Sequence, residues 1–223
     1  MNRLAVFDCD GTLVDSQANI VHAMAVAFAE TGLPMPPRAQ VLGIVGLSLV
    51  EAVAALVPDL DAAAHRLIAD RYKAAFQAQR GRGEVQEPLY DGIVAAIDTL
   101  DAAGWLLGVA TGKSDRGLAL CLAHHGLTHR FVTLQTADRH PSKPHPAMLA
   151  LAMAEAGAAP ETTVMIGDTA FDIAMGAAAG VATIGVTWGY HAPALLIAEG
   201  ATHIATHPEQ LPVLAAACMP EIA

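Results

Sequence analysis

Leu4-Ala5-Val6-Phe7 runs directly into Asp8-Cys9-Asp10-Gly11-Thr12. Four apolar residues in a row, with no polar alternation, suit a strand buried on both faces of a parallel sheet. That strand ends where the carboxylates begin. Residues two apart on a strand point to the same side, so Asp8 and Asp10 are expected to face one space while Cys9 turns into packing. Gly11 allows a tight turn, through which backbone N–H groups can approach an anion. Two adjacent carboxylates repel, and in isolation one would take up a proton. A metal ion between them instead keeps one ionised and nucleophilic at neutral pH.

The pattern recurs downstream. Leu106 to Ala110 leads into Thr111-Gly112-Lys113, Val164 to Ile166 into Gly167-Asp168-Thr169, and Val181 to Val186 into Thr187-Trp188-Gly189, read as the end of the last strand. A weaker run, Phe131 to Leu134, precedes Thr136-Ala137-Asp138. Helical patterns fill the intervals at Gly92 to Ala103, Ser114 to His125, Pro146 to Ala156 and Phe171 to Ala179, with Gly104, Gly126, Gly157 and Gly180 where helices should stop. This alternation predicts an α/β fold with a Rossmann-like parallel sheet and helices on both faces. Ligands of such sheets gather at the carboxyl ends of the strands, where the polar residues of this chain lie.

The stretch from Ser16 to about Gly83 breaks the rhythm. Helical segments are expected at Ser16 to Glu30, with Ser16 as N-cap, and at Pro37 to Gly43, Ser48 to Val57 and Asp59 to Gln79. Arg80-Gly81-Arg82-Gly83-Glu84 has the composition of a hinge. The expected organisation is a core of residues 1–15 and 84–223 with an inserted α-helical cap at 16–83.

Composition agrees. The 223 residues are 54% hydrophobic and only 4% aromatic, which allows a sizeable core, excludes disorder and favours helix-rich α/β over all-β architecture. The formal net charge of −10 argues against nucleic acid as a partner, whose recognition needs a basic stripe. It leaves a small phosphorylated metabolite open, because a divalent cation reverses the local field. Cys9, Cys121 and Cys218 are too few and too scattered for a disulfide framework, so a cytoplasmic setting is expected. The first apolar run is too short for a signal peptide. Ile173 to Tyr190 carries no charge, but glycines at 176, 180, 185 and 189 divide it into a helix, a turn and a buried strand, so no membrane span is expected.

Gly167 to Asp172 supplies two further carboxylates, Asp168 at a strand end and Asp172 in the next helix's first turn. Thr111 offers a hydroxyl donor, Gly112 an accessible N–H and Lys143 a fixed positive charge. Magnesium prefers a few carboxylates, a backbone carbonyl and waters. Together these residues offer a nucleophile, a general acid, a metal site and phosphate donors, the requirements of phosphoryl transfer. Lys113 reads equally as a solvated lysine or a phosphate neighbour. His124, His125, His129, His140 and His145 show no ligand spacing and read as surface or capping residues. Cys9, among acids that should raise its pKa, reads as inert packing. Trp188 and Tyr190 read as packing beside the site.

The run from Asp8 to Ser16 resembles the first motif of the haloacid dehalogenase-like superfamily, and Thr111, Lys143 and Gly167 to Asp172 resemble its other three in order and spacing. The resemblance covers residues 1–15 and about 84–190, and the insertion's position is similar to that in the helical-cap branch, most of all in phosphoglycolate phosphatase-like members. It implies a Mg2+-dependent phosphatase hydrolysing a small phosphate monoester through an aspartyl phosphate. Asp8 is then nucleophile and metal ligand. Asp10 is general acid and base, with its backbone carbonyl on the metal. Thr111, Gly112 and Lys143 hold the phosphoryl group, and Asp168 and Asp172 complete the metal site. Gly112 departs from the family, which usually carries asparagine there.

Other members of the superfamily remain open, notably inorganic pyrophosphatase and β-phosphoglucomutase-like enzymes, because the cap selects among them. The segment expected to face substrate, Gly43 to Ser48, is apolar. A receiver-type phospho-acceptor module also joins acids, a Ser/Thr, a Lys and magnesium on a parallel sheet. It lacks the second aspartate and the helical insertion. The oligomeric state expected is monomer or homodimer.

Overall fold

The computed structural model describes residues 1–220. Its strands are β1 (Asn2–Phe7), β2 (Trp105–Thr111), β3 (Thr133–Thr136), β4 (Ala158–Gly167), β5 (Ala182–Val186) and β6 (His203–Ala205). They form one six-stranded sheet in the order β3-β2-β1-β4-β5-β6, with every neighbouring pair parallel. Four helices, α1 (Gln17–Glu30), α2 (Arg38–Leu42), α3 (Leu49–Leu56) and α4 (Ala62–Gly81), are inserted between β1 and β2 and followed by α5 (Ile93–Ala102). After them come α6 (Asp115–His124), α7 (Ala147–Ala156), α8 (Ala170–Ala179), α9 (Pro193–Ala198) and α10 (Leu211–Ala217).

β1 lies in the middle of the sheet, which is why its run is apolar on both faces. Ala5 and Phe7 join Ile97 and Leu100 of α5 and Leu118 of α6 on one side. Leu4 and Val6 meet Met148 and Leu149 of α7 and Met175 of α8 on the other. Register then sets the site. Phe7 is level with Val109 of β2 and with Ile166 of β4, so the residues that follow these three emerge at the same edge. Adjacent strands are about 4.8 Å apart, which brings Asp8, Thr111 and Asp168 into one neighbourhood.

The inserted helices bury their own cluster, with Met24 and Phe28 of α1 against Val53 of α3 and Ile68 of α4. We propose on this basis that, among the described residues, 16–83 form a cap and 1–15 with 84–220 a core; the last three residues of the expected core lie outside the described residues. Several details differ from the sequence reading. α4 begins at Ala62 rather than at Asp59, capped by Asp61, whose carboxylate accepts from the Ala64 N–H at 2.8 Å. α4 also continues through Gly81, so only its last turn and Gly83, at φ +71°, remain for the glycine-rich exit. β3 starts two residues later than its apolar run, because Phe131 drops into the core while Val132 is 54% exposed. β5 is not the last strand. The three residues of β6 are too few, and too polar at His203, to stand out in sequence. Among the described residues no helix is long and apolar enough to cross a membrane.

α8 presses on β5 through Gly176, where an added Cβ would lie 2.3 Å from Thr183 Cγ2. Gly176→Ala is therefore expected to destabilise the protein by about 1–3 kcal/mol through overpacking. The urea midpoint measures this, and an unchanged midpoint would show that α8 can shift away from the sheet.

Candidate active site

Asp8, Asp168 and Asp172 are all buried, and each offers a carboxylate oxygen within 4.8 Å of the others. One buried cation answers them. Lys143 Nζ lies 2.9 Å from Asp8 Oδ1 and 2.6 Å from Asp172 Oδ1. Burial opposes the ammonium's charge, but Asp172 and Asp8 hold its pKa above the ordinary lysine value. Asp172 is also tied down at its second oxygen, Oδ2, by the Thr169 N–H (3.0 Å) and hydroxyl (2.7 Å), a reciprocal cap at the start of α8. Asp168 accepts from the Thr12 hydroxyl (2.8 Å) and the Tyr190 N–H (2.9 Å). Asp8 is different. Apart from its ion pair with Lys143, neither of its buried oxygens has a hydrogen-bond partner.

Glycines make room for these acids. A Cβ on Gly189 would lie 2.2 Å from Asp168 Cβ, and one on Gly11, at φ +89°, would lie 2.2 Å from Asp168 Oδ2. One on Gly167 would lie 2.3 Å from Asp172 Cγ. The turn expected at Gly11 thus serves a carboxylate from another strand.

Three carboxylates against one ammonium leave two negative charges in the interior, and each ion so placed forfeits several kcal/mol of hydration. Burial pushes the Asp8 carboxyl up to about 7, with Lys143 opposing the rise and Asp172 and Asp10 adding to it. Burial, then Asp8 and Asp172, carry Asp168 well above the ordinary carboxylate range. A hard divalent cation reverses both effects, and a set of carboxylate oxygens with one unpartnered member suits magnesium. The residues fit such an ion.

Asp10 stands apart from the triad. Its Oδ1 accepts from Lys113 Nζ at 2.6 Å and from the Ser16 hydroxyl. Ser16, expected to cap α1, makes no side-chain cap and turns to this carboxylate instead. Lys113 also binds Glu87 Oε1 at 2.8 Å, and Glu87 Oε2 accepts from Arg80 of α4 at 2.9 Å. Burial opposes the charges of Lys113 and Glu87, but their mutual attraction, with Asp10 on one side and Arg80 on the other, raises the lysine pKa and lowers the glutamate's. Lys113 is therefore not a solvated lysine but part of a chain from Asp10 to the inserted helices, on the lining of the cavity that Asp8 and Thr111 share. Glu87 carried no motif and was missed, and Ser16, at the end of the first motif, was read only as an N-cap. The arginine of a hinge-like stretch and the residue after Gly112 were the available signals.

Gly112 explains its own departure from asparagine. A Cβ there would lie 2.6 Å from the Leu47 carbonyl oxygen and 2.8 Å from that of Gly46. The backbone of the 43–48 loop fills the space a side chain would occupy. The same loop is held by the Ser48 N–H donating to Ser142 Oγ at 2.8 Å. The His191 ring supports it too, with Nε2 3.1 Å from the Gly43 carbonyl oxygen and Nδ1 accepting from the Ala170 N–H. Asp8, Asp10, Thr111, Gly112 and Lys113 share with this loop the lining of a cavity of about 510 Å³.

The remaining expectations concern packing. Cys9 is fully buried beside Cys121, which together with burial carries its thiol well above the ordinary range. Trp188 donates from Nε1 to the Thr12 carbonyl (3.1 Å), and the Tyr190 hydroxyl meets the Ser16 N–H at 3.1 Å. Among the described residues no histidine joins a group with metal-ligand geometry.

Two outcomes follow from this geometry. Between pH 3.8 and about 7, folded Asp8 holds a proton that the unfolded chain releases. Metal-free protein should therefore lose stability as pH rises through that window, and magnesium should restore it. Thermal melts with and without magnesium should differ by more at about pH 8 than at about pH 5, by several degrees. A magnesium shift independent of pH would mean that the acids are ionised without the metal. Separately, Gly112→Asn should lift the 43–48 loop from the core. Hydrogen exchange at the Ser48 amide should accelerate by about tenfold or more, and an unchanged rate would show that the loop accommodates the side chain.

A sequence model described as haloacid dehalogenase-like hydrolase matches residues 5–186. The probable phosphatase IndB of Dickeya dadantii is 37% identical over 195 residues, spanning 86% of this chain and 84% of its own. A phosphoglycolate phosphatase of Xanthomonas campestris pv. campestris is 31% identical over 189 residues, 84% of each chain. The tyrosine-protein kinase PtkA of Mycobacterium tuberculosis is 34% identical over 206 residues, 92% of this chain and 68% of its own. Among solved structures, a predicted phosphatase from Clostridium acetobutylicum superposes with a TM-score of 0.87 at 25% identity, covering 97% of this chain and 99% of its own. A helical insertion after β1, a buried acidic triad at the carboxyl edge of the sheet and a family match over most of the chain agree: the protein belongs to the haloacid dehalogenase-like hydrolases.

Proposed function

We propose that the protein is a Mg2+-dependent phosphatase of the phosphoglycolate phosphatase-like kind, hydrolysing a phosphate monoester through an aspartyl phosphate on Asp8. The observation that carries this reading is the Asp8 carboxylate, buried, unpartnered at Oδ2 and facing the cavity while its neighbours are tied down. Asp8, Asp168 and Asp172, with the Asp10 backbone carbonyl, would hold the metal, which supplies charge neutralisation for phosphoryl transfer.

Asp8 attacks phosphorus, the bond from phosphorus to the alcohol oxygen breaks, and the Asp10 carboxyl gives that oxygen its proton. Asp10, now a carboxylate, takes a proton from the water that attacks the aspartyl phosphate, and inorganic phosphate leaves with Asp8 restored. Lys143, the Thr111 hydroxyl and the Gly112 N–H meet the negative oxygens of the transferring group. Lys113 and Ser16 fix the Asp10 carboxyl on the cavity side. Asp10 within reach of Asp8 favours discharge of the phosphoenzyme over its storage, which separates this reading from a phospho-acceptor module and from net transfer to a protein.

Asp8→Asn and Asp10→Asn should fail differently. The first removes the nucleophile, so no phosphoenzyme should form. The second removes proton transfer, typically worth ~10²–10⁴-fold. With p-nitrophenyl phosphate, whose leaving group needs little protonation, Asp10→Asn should form a phosphoenzyme quickly and hydrolyse it slowly. Mass spectrometry of rapidly quenched protein should then find the label on Asp8. A label on another residue, or its accumulation in Asp8→Asn, would refute the assignment.

A further inference from the structure

The cavity that reaches Asp8 and Asp10 is walled mostly by the inserted segment, its helices and the 43–48 loop together, and its volume of about 510 Å³ lies well within the range of sites for drug-sized ligands. Met24 of α1, Leu47 of the 43–48 loop, and Tyr72 and Phe76 of α4 all line it. The two rings sit 6.0 Å apart at a tilt. A two-carbon acid such as glycolate would leave most of this space unfilled.

Charge points the same way. Among the described residues four cations line the cavity: Lys73, Arg80, Lys113 and Arg116. Lys113 is bound to Asp10 and Glu87, and Arg80 to Glu87, so both cations already have partners of their own. Both cations also lie near the Phe76 ring, at 5.6 Å for Arg80 Cζ and 6.0 Å for Lys113 Nζ. Lys73 is more than half exposed and faces Asp70 at 3.9 Å, and Arg116 is exposed to water. A carboxylate brought in on the alcohol side would have to compete with Glu87 for a buried partner, or settle for solvated ones. Burial also keeps the Tyr72 phenol neutral, by pushing its pKa above the ordinary value.

We propose that the substrate's alcohol end is uncharged and apolar, about the size of an aromatic ring, and lodges among Met24, Leu47, Tyr72 and Phe76. This rests on the phosphatase reading, in which the bond from phosphorus to oxygen breaks and the released alcohol keeps its oxygen and gains a proton from Asp10. The inserted helices then select by shape and desolvation, whereas Asp8, Thr111 and Lys143 handle the phosphate common to every ester.

The test compares benzyl phosphate, ethyl phosphate and phosphoglycolate, all esters of alkyl alcohols, with p-nitrophenyl phosphate as an activated reference, each with magnesium. The kcat/KM for benzyl phosphate should exceed those for ethyl phosphate and phosphoglycolate by about tenfold or more, the scale on which apolar pockets discriminate. Phe76→Ala should lower the benzyl-to-ethyl ratio of kcat/KM by about tenfold. A general folding defect would lower both values together and leave the ratio alone, so an unmoved ratio overturns the proposal. Phosphoglycolate turned over as fast as benzyl phosphate overturns it too, as does hydrolysis of the activated ester alone. Phosphate release from none of the four refutes the phosphatase reading itself, and the proposal with it.

Discussion

Three carboxylates buried against a single ammonium set the terms for the rest of this molecule. Asp8, Asp168 and Asp172 come from two strand ends and a helix start, and Lys143 alone stands among them as a buried cation. Without further positive charge such an arrangement opposes folding, since burial in a low-dielectric interior penalises each ion more than one lysine can offset. The fold tolerates it by over-determining the geometry. Gly11, Gly167 and Gly189 leave no room for any side chain but the acids, and hydrogen bonds from Thr12, Thr169 and Tyr190 hold two of the three. Only Asp8 is left without such support, and an acid so placed is available for chemistry.

A second charge set couples the sheet to the inserted helices. Glu87 stands in the segment that leads out of the insertion and joins Arg80 of α4 to Lys113, which holds Asp10. The position of Asp10 is thereby tied to the position of α4. On the opposite side of the cavity, the 43–48 loop rests on Gly112, Ser142 and His191. The inserted segment thus meets the sheet's edge at two places, one ionic and one steric.

Much of this was legible in the sequence, for a physical reason. Strands buried on both faces cannot alternate, so β1, β2, β4 and β5 announced themselves, and the polar residues that ended them had to share an edge. Asp8, Asp10, Thr111, Gly112 and Asp168 were singled out that way, whereas Asp172 stood in the first turn of the next helix and Lys143 was picked as a fixed positive charge; the structure sets Lys143 beside Asp8 and Asp172. Residues that act through tertiary contacts left no such trace. Glu87 looks like any linker acid until Lys113 and Arg80 flank it, and Ser16 looks like an N-cap until its hydroxyl turns to Asp10. His191 resembles the chain's other histidines until it spans Gly43 and Ala170. β6 failed for a different reason. At the sheet's edge it need not be apolar on both faces, and three residues are too few to show a period.

Gly112 shows how one departure from a family pattern can be steric in origin. An asparagine there would project a polar side chain toward the cap, whereas glycine lets the carbonyls of Gly46 and Leu47 come down instead. The contact that results is between backbones, so it carries little information about what lies in the cavity. The side chains available in the cavity walls are those of α1, α3, α4, α6 and the 43–48 loop. The charge count makes the same division. Lys113 and Arg80 are already held by Glu87 and Asp10, and the triad with Lys143 sums to two negative charges, which a bound divalent cation would cancel. Under the phosphatase reading, the charge of an incoming phosphate would fall to the Thr111 hydroxyl and the Gly112 N–H beside Lys143. The same glycine that admits the cap also presents the bare N–H, and a larger residue at that position would disturb both.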